Sequence, residues 1–214
     1  MIASVLVLGG GVLLVVALRS PSPPPAPPRS AAGALYRPPH PSTSSTSSTI
    51  PAPPIAETTT TAASAPPAAA PVAITIPNIG VHSFLVHLGL NPDGSLQVPT
   101  SFHVAGWFVH SVAPGAVGPA VIVGHVDSKS GPGIFYKLGD LRPGDQIDVA
   151  RADGTTAHFV ITAVRQYAKA QFPTLAVYGN TPTPTIRLIT CGGAFDNATG
   201  HYVDNTIVWG QLAS

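Results

Sequence analysis

Proline sets where this chain can and cannot fold. A proline fixes φ near −65° and lacks an N–H, which excludes it from helix interiors and central strands. Fifteen of the 25 prolines fall between residues 19 and 71, among runs such as PSPPPAPP and STSSTSST. Such a stretch buries too little apolar area to offset the entropy of ordering, so it is expected to be disordered or partly polyproline II. As polyproline II its 53 residues would span roughly 160 Å at about 3.1 Å each, so it reads as a tether. Residues 2–18 ahead of it are apolar and uncharged. At about 1.5 Å per residue they approach a hydrocarbon core of about 30 Å, the length expected of a membrane anchor. A cleavable signal peptide is the competing reading, but no A-x-A pattern stands near Ala17. The chain thus divides into an anchor over 1–18, a linker over 19–71 and one folded domain over 72–214.

A domain of that size buries roughly two-thirds of its unfolded surface and needs no metal or disulfide to fold. The single cysteine, Cys191, has no internal partner in any case. A net charge of +1 with 9% charged residues gives no basic field for a phosphate backbone, so nucleic acid is not an expected partner. From residue 72 onward short β-rich runs alternate with turn residues: AITIP, FLVHL, NPDG, SLQVP, AVIVGH, QIDVA, AHFVITAV, TIRLITC and NTIVWGQL. No window holds a sustained 3.6-residue apolar stripe. The pattern predicts an all-β barrel or sandwich with a short helix near residues 103–108. Asp153-Gly154 between two such runs predicts a hairpin. Segment 168–184 lacks strand periodicity and is expected to shape a binding surface.

Two residues invite chemistry. Cys191 follows the β-branched run TIRLIT and precedes Gly192-Gly193, which predicts a thiol at a strand end beside backbone that a ligand can approach closely. A lone cysteine is more commonly a small buried hydrophobe, but secreted proteins tend to avoid an unpaired thiol. His125 in VIVGHVDS also ends an apolar run, where an imidazole can face a groove. No H-x-x-x-H, C-x-x-C or D-x-D-x-D-G spacing is present, so neither a metal nor another cofactor is expected.

The chain from 72 to 214 resembles the sortases, membrane-anchored cysteine transpeptidases of Gram-positive bacteria, and most of all their class F members from actinobacteria. The resemblance rests on IPNIGV, NPDGSLQVP, AGW, VIVGHVDS, FYKLGDLRPGD and LITCGGAFDNATGHYVDN, in the family's order. It implies an eight-stranded sortase β-barrel, with Cys191 as nucleophile and His125 as its acid/base partner. It also implies an extracytoplasmic domain at the cell membrane that cuts a sorting signal of LPXTG type between Thr and Gly. The acyl group would then pass to an amine acceptor, a wall precursor or a lysine. Gly192 and Gly193 would leave backbone N–H groups near the oxyanion.

One departure stands out. The family usually places an arginine on the strand after the cysteine, and no arginine follows Arg187 here. Alignment of ATGHYVDN with the family's loop puts Asn205 at or near that position. Arg187 shares strand parity with Cys191, but four residues at about 3.3 Å separate them by about 13 Å, which suits a substrate contact better than a thiolate partner. Asp127 is expected to cap a turn rather than orient His125. The missing arginine leaves a rival reading: a non-catalytic, wall-associated β-barrel that binds peptide or glycan.

Overall fold

The structure is a computed structural model, and it describes residues 23–27 and 68–214. The expected anchor over 1–18 and most of the linker lie outside the described residues. Among the described residues no helix is long and apolar enough to cross a membrane.

Ten strands follow in chain order: β1 (Pro71–Ile76), β2 (Val81–Leu88), β3 (Ala105–Phe108), β4 (Gly118–Val123), β5 (Asp127–Ser128), β6 (Gly131–Pro132), β7 (Gln146–Arg151), β8 (Thr156–Ala168), β9 (Pro184–Asp196) and β10 (His201–Leu212). Eight of them close a barrel in the order β1-β2-β3-β4-β9-β10-β8-β7, and β5 and β6 form a small separate hairpin. Closure leaves no long open edge, which is how an all-β domain avoids pairing with its neighbours. Most neighbours are antiparallel; β2–β3 and β4–β9 are parallel. The fold is therefore the expected all-β, eight-stranded barrel, with one short helix, α1 (Thr174–Tyr178).

Alternation along the strands sorts apolar side chains into two layers. Ala120 and Ile122 of β4, Ile186 and Leu188 of β9, Val208 of β10 and Val164 of β8 point into the barrel, where Phe135, Phe159 and Ile74 complete the core. Their alternates, Val121 and Val123, Ile189, Ile207 and Trp209, and Ala163, form a second cluster outside the barrel wall. This outer cluster is covered by residues 172–178, with Val177 of α1 fully buried in it. Fully burying one such side chain is worth roughly 1.5–3 kcal/mol.

Four local expectations need correction or refinement. Residues 103–108 hold no helix: Ala105–Phe108 is β3, wedged between β2 and β4, because short apolar runs take the conformation their neighbours pair with. The helix instead lies inside segment 168–184, where strand periodicity is lacking. SLQVP makes only an isolated bridge, Leu90 to Leu96, beside a turn in which the Asp93 carboxylate accepts from the Ser95 N–H at 2.9 Å. The barrel begins at Pro71, one residue before the expected domain start, and the Ala70 carbonyl accepts from the Ala152 N–H at 2.9 Å. The hairpin at Asp153-Gly154 does form: Ala150 pairs with Thr156, and the Asp153 carboxylate accepts from the Thr155 N–H at 3.0 Å.

Candidate active site

Cys191 does not end its strand. β9 continues to Asp196, paired with β10 throughout except at one irregularity. Gly192 pairs with Asp204 and Phe195 with Tyr202, so two residues of β9, Gly193 and Ala194, face one of β10, Val203. That is a β-bulge, and Gly193 adopts φ +77° in it. Bulges bend a strand and re-aim its side chains. A Cβ at 193 would also meet the Asp204 carboxylate, which accepts from Gln166 Nε2 at 2.6 Å, so glycine is required twice over. Cys191 stands two residues before this bend, a half-buried free thiol on the outward face.

The β4–β9 pairing brings the histidine to it. Parallel register sets Val121 opposite Arg187 and Val123 opposite Ile189, and the Gly124 N–H donates to the Ile189 carbonyl at 3.1 Å. His125 and Cys191 each follow that last pair by two residues, and from there on β9 has no β4 partner. His125 is held from three sides. Its carbonyl accepts from the Phe135 N–H at 3.0 Å, and Phe135 is itself fully buried in the barrel core. Its Nε2 lies 2.7 Å from the Pro99 carbonyl, and its ring packs on Phe102 with centroids 4.5 Å apart. A carbonyl only accepts, so Nε2 carries the proton, which leaves Nδ1 as the basic nitrogen.

Asn205 pairs directly with Cys191 across the β9–β10 ladder. Side chains of such pairs have Cβ atoms about 4.5–5.5 Å apart, so the amide and the thiol are immediate neighbours on one face. Arg187 shares that face but not that neighbourhood. It is only 4% exposed, its guanidinium lies 4.4 Å over the Trp209 ring, and Nη1 donates to the Ile186 carbonyl at 2.9 Å. Burial holds its pKa down to about 10, still well above neutrality. The structure therefore pairs Asn205 with Cys191 and sets Arg187 apart beneath the cover of the outer layer.

Two further residues near the site, Tyr202 and Arg165, carry no signal in the sequence. The Tyr202 hydroxyl donates to the Asp127 carboxylate, so Asp127 ties β5 to the start of β10. Burial first, then Asp127, raises the Tyr202 phenol above its ordinary value, with Tyr136 and Cys191 adding to the effect. Arg165 of β8 shares the outward parity of Ala163 and Tyr167, and sits beside the Tyr167 phenol, whose pKa burial raises against the pull of this arginine. The sequence offered no clue to Arg165 because it lies on a different strand from the cysteine, 26 positions before it. Only the barrel order, which inserts β10 between β8 and β9, brings its strand near.

This closed barrel carries on its outer wall a half-buried free thiol, the side chain that cysteine-based acyl-transfer enzymes use as nucleophile. The sortase-domain family model matches residues 74–213. Among solved structures, the chain is similar to a lid mutant of sortase A from Corynebacterium diphtheriae at 26% identity and a TM-score of 0.52, covering 67% of this chain and 71% of that one. It is similar to sortase A from the same organism at 25% identity and 0.52, covering 69% of this chain and 61% of that one. Sortase C1 from Streptococcus agalactiae shares the fold at 20% identity and a TM-score of 0.51, with 66% of each chain covered. Comparison with curated proteins returns no match. The chain belongs to the sortase family, and as such is a sortase transpeptidase.

Proposed function

We propose that this protein is a class F sortase, held at the cell membrane by residues 1–18 with its barrel outside the cytoplasm. Its substrate is an LPXTG-like sorting signal, cleaved between Thr and Gly. The Cys191 thiolate attacks the Thr carbonyl carbon, and the electron pair moves to oxygen. Collapse of that intermediate breaks the C–N bond, His125 gives its proton to the departing glycine amine, and a thioester to Cys191 remains. The amine of a wall precursor or a lysine then attacks the thioester, His125 takes up the amine proton, and the thiolate leaves. The Pro99 carbonyl accepts from Nε2 and so fixes the orientation of the His125 ring. Asn205 supplies a neutral donor beside the reacting carbonyl, together with backbone N–H groups at the bulge.

The observation that supports this reading is the β4–β9 register, whose last pair, Val123 with Ile189, lies two residues before His125 on one strand and two before Cys191 on the other. Incubating the protein with LPXTG-type peptides and candidate amines, followed by mass spectrometry, tests it. The expected result is a covalent adduct on Cys191 and a peptide–amine product, both lost in Cys191→Ala with the fold retained by circular dichroism. Peptide binding with no adduct and no Cys191 alkylation would instead favour the non-catalytic wall-associated barrel, for which the arginine missing from β10 speaks.

A further inference from the structure

The described part of the linker, Pro23 to Pro27, does not lie apart from the barrel. The Tyr136 hydroxyl donates to the Pro23 carbonyl at 3.4 Å, and Pro24 is buried. The Pro25 carbonyl lies against Gly139, so close that a Cβ at 139 would overlap it. Gly139 and Leu138 belong to a buried 3-10 turn, Leu138–Asp140, that packs against β10. A tyrosine hydroxyl reaching a proline-segment carbonyl, with a proline ring buried beside it, is how aromatic surfaces recognise polyproline II. The prolines enter such a contact already ordered, so little entropy is lost on docking.

We infer that the surface formed by Tyr136 and Gly139 is a polyproline-binding site, and that its occupant is this chain's own Pro23–Pro27. The occupant is specified by the contacts themselves and by length: the 40 residues from 28 to 67 reach at most about 130 Å, ample to return to β1. Tyr136 also lies within electrostatic reach of Tyr202, as Cys191 does. A second consequence rests on the proposed anchor. With the strap docked, only residues 19–22 separate the apolar stretch from the barrel, a reach of about 14 Å, where the whole linker would allow roughly 160 Å. Docking therefore holds the barrel at the membrane surface, and release lets it range outward.

The test uses the full chain in detergent micelles, with the exposed Ala26 replaced by the photocrosslinker p-benzoylphenylalanine and the adduct mapped by mass spectrometry. The expected result is an intrachain adduct within residues 134–142. Gly139→Ala, which fills the space the Pro25 carbonyl occupies, is expected to lower its yield about tenfold or more. Pro24→Gly with Pro25→Gly should do the same from the strap side and leaves the barrel untouched, so the inference stays testable if Gly139→Ala does not fold. Adducts scattered over the barrel, adducts between chains, or yields unmoved by the strap variant would overturn it. None of these readouts depends on Cys191 chemistry or on the anchor, so the docking site and the proposed function fail separately.

Discussion

At the scale of single residues, the cysteine's neighbours divide by what lies beside them. Asn205 is paired with Cys191, so Asn205→Ala is expected to lower kcat by about 10²-fold with little change in Tm, as loss of an oxyanion donor does. Arg165 lies two strands and two residues from Cys191, a Cα separation of about 12 Å, so Arg165→Ala should raise the KM for peptide more than it lowers kcat. Arg187 is different in kind. A guanidinium that is 4% exposed and stacked on Trp209, with no carboxylate bonded to it, bears a desolvation cost. Arg187→Met keeps the volume and removes the charge, so its Tm should match or exceed that of the wild type and turnover should survive. A dead Arg187→Met with unchanged Tm would place the electrostatic role on Arg187 instead. Tyr202 supplies a pH signature. Its pKa is raised in the fold, so its protonated form gives stability that is fully present below the ordinary phenol value of about 10 and is lost above it. Thermal melts above about pH 10 should therefore show a decline in Tm that is smaller in Tyr202→Phe, with the Asp127 contact already absent from that variant.

At the scale of elements, the bulge in β9 bends the strand two residues beyond the thiol. Gly193→Ala forces a side chain into φ +77° and against the Asp204 carboxylate. Left-handed strain of this kind costs about 1–3 kcal/mol, and relief by straightening the strand would re-aim Cys191. The expected outcome is a lower Tm together with a fall in kcat larger than the stability loss explains. Single-turnover kinetics on folded protein at low temperature check it. β9 itself illustrates what periodicity misses. TIRLITC looks like a strand that ends at its cysteine because two glycines follow. Those glycines continue the ladder, with Gly192 opposite Asp204 and Gly193 forming the bulge. Likewise AGW carries no strand length of its own, and β2 and β4 on either side make it one.

At the scale of the whole molecule, the barrel closes through β1–β7 pairing, in which Pro71 meets Arg151 and the Ala70 carbonyl accepts from Ala152. A chain starting at residue 68 should unfold in one cooperative transition, whereas one starting at residue 72 should melt several degrees lower, because one kcal/mol shifts Tm by about 2–8 °C in domains of this size range. Equal melting temperatures in calorimetry would mean that closure does not use residues 68–71. What the amino-acid order determined alone is the all-β character and the Asp153-Gly154 hairpin. Those follow from local rules: side-chain alternation and turn chemistry. What only the tertiary structure decided is which residues stand together. Parallel β4–β9 register ends two residues before His125 and two before Cys191, which stand 66 positions apart in sequence, β10 carries Asn205 to the thiol and β8 brings Arg165 near, and the barrel's second layer buries Arg187 on Trp209. Register and strand order arise from long-range pairing and core packing, and no local window of sequence records them.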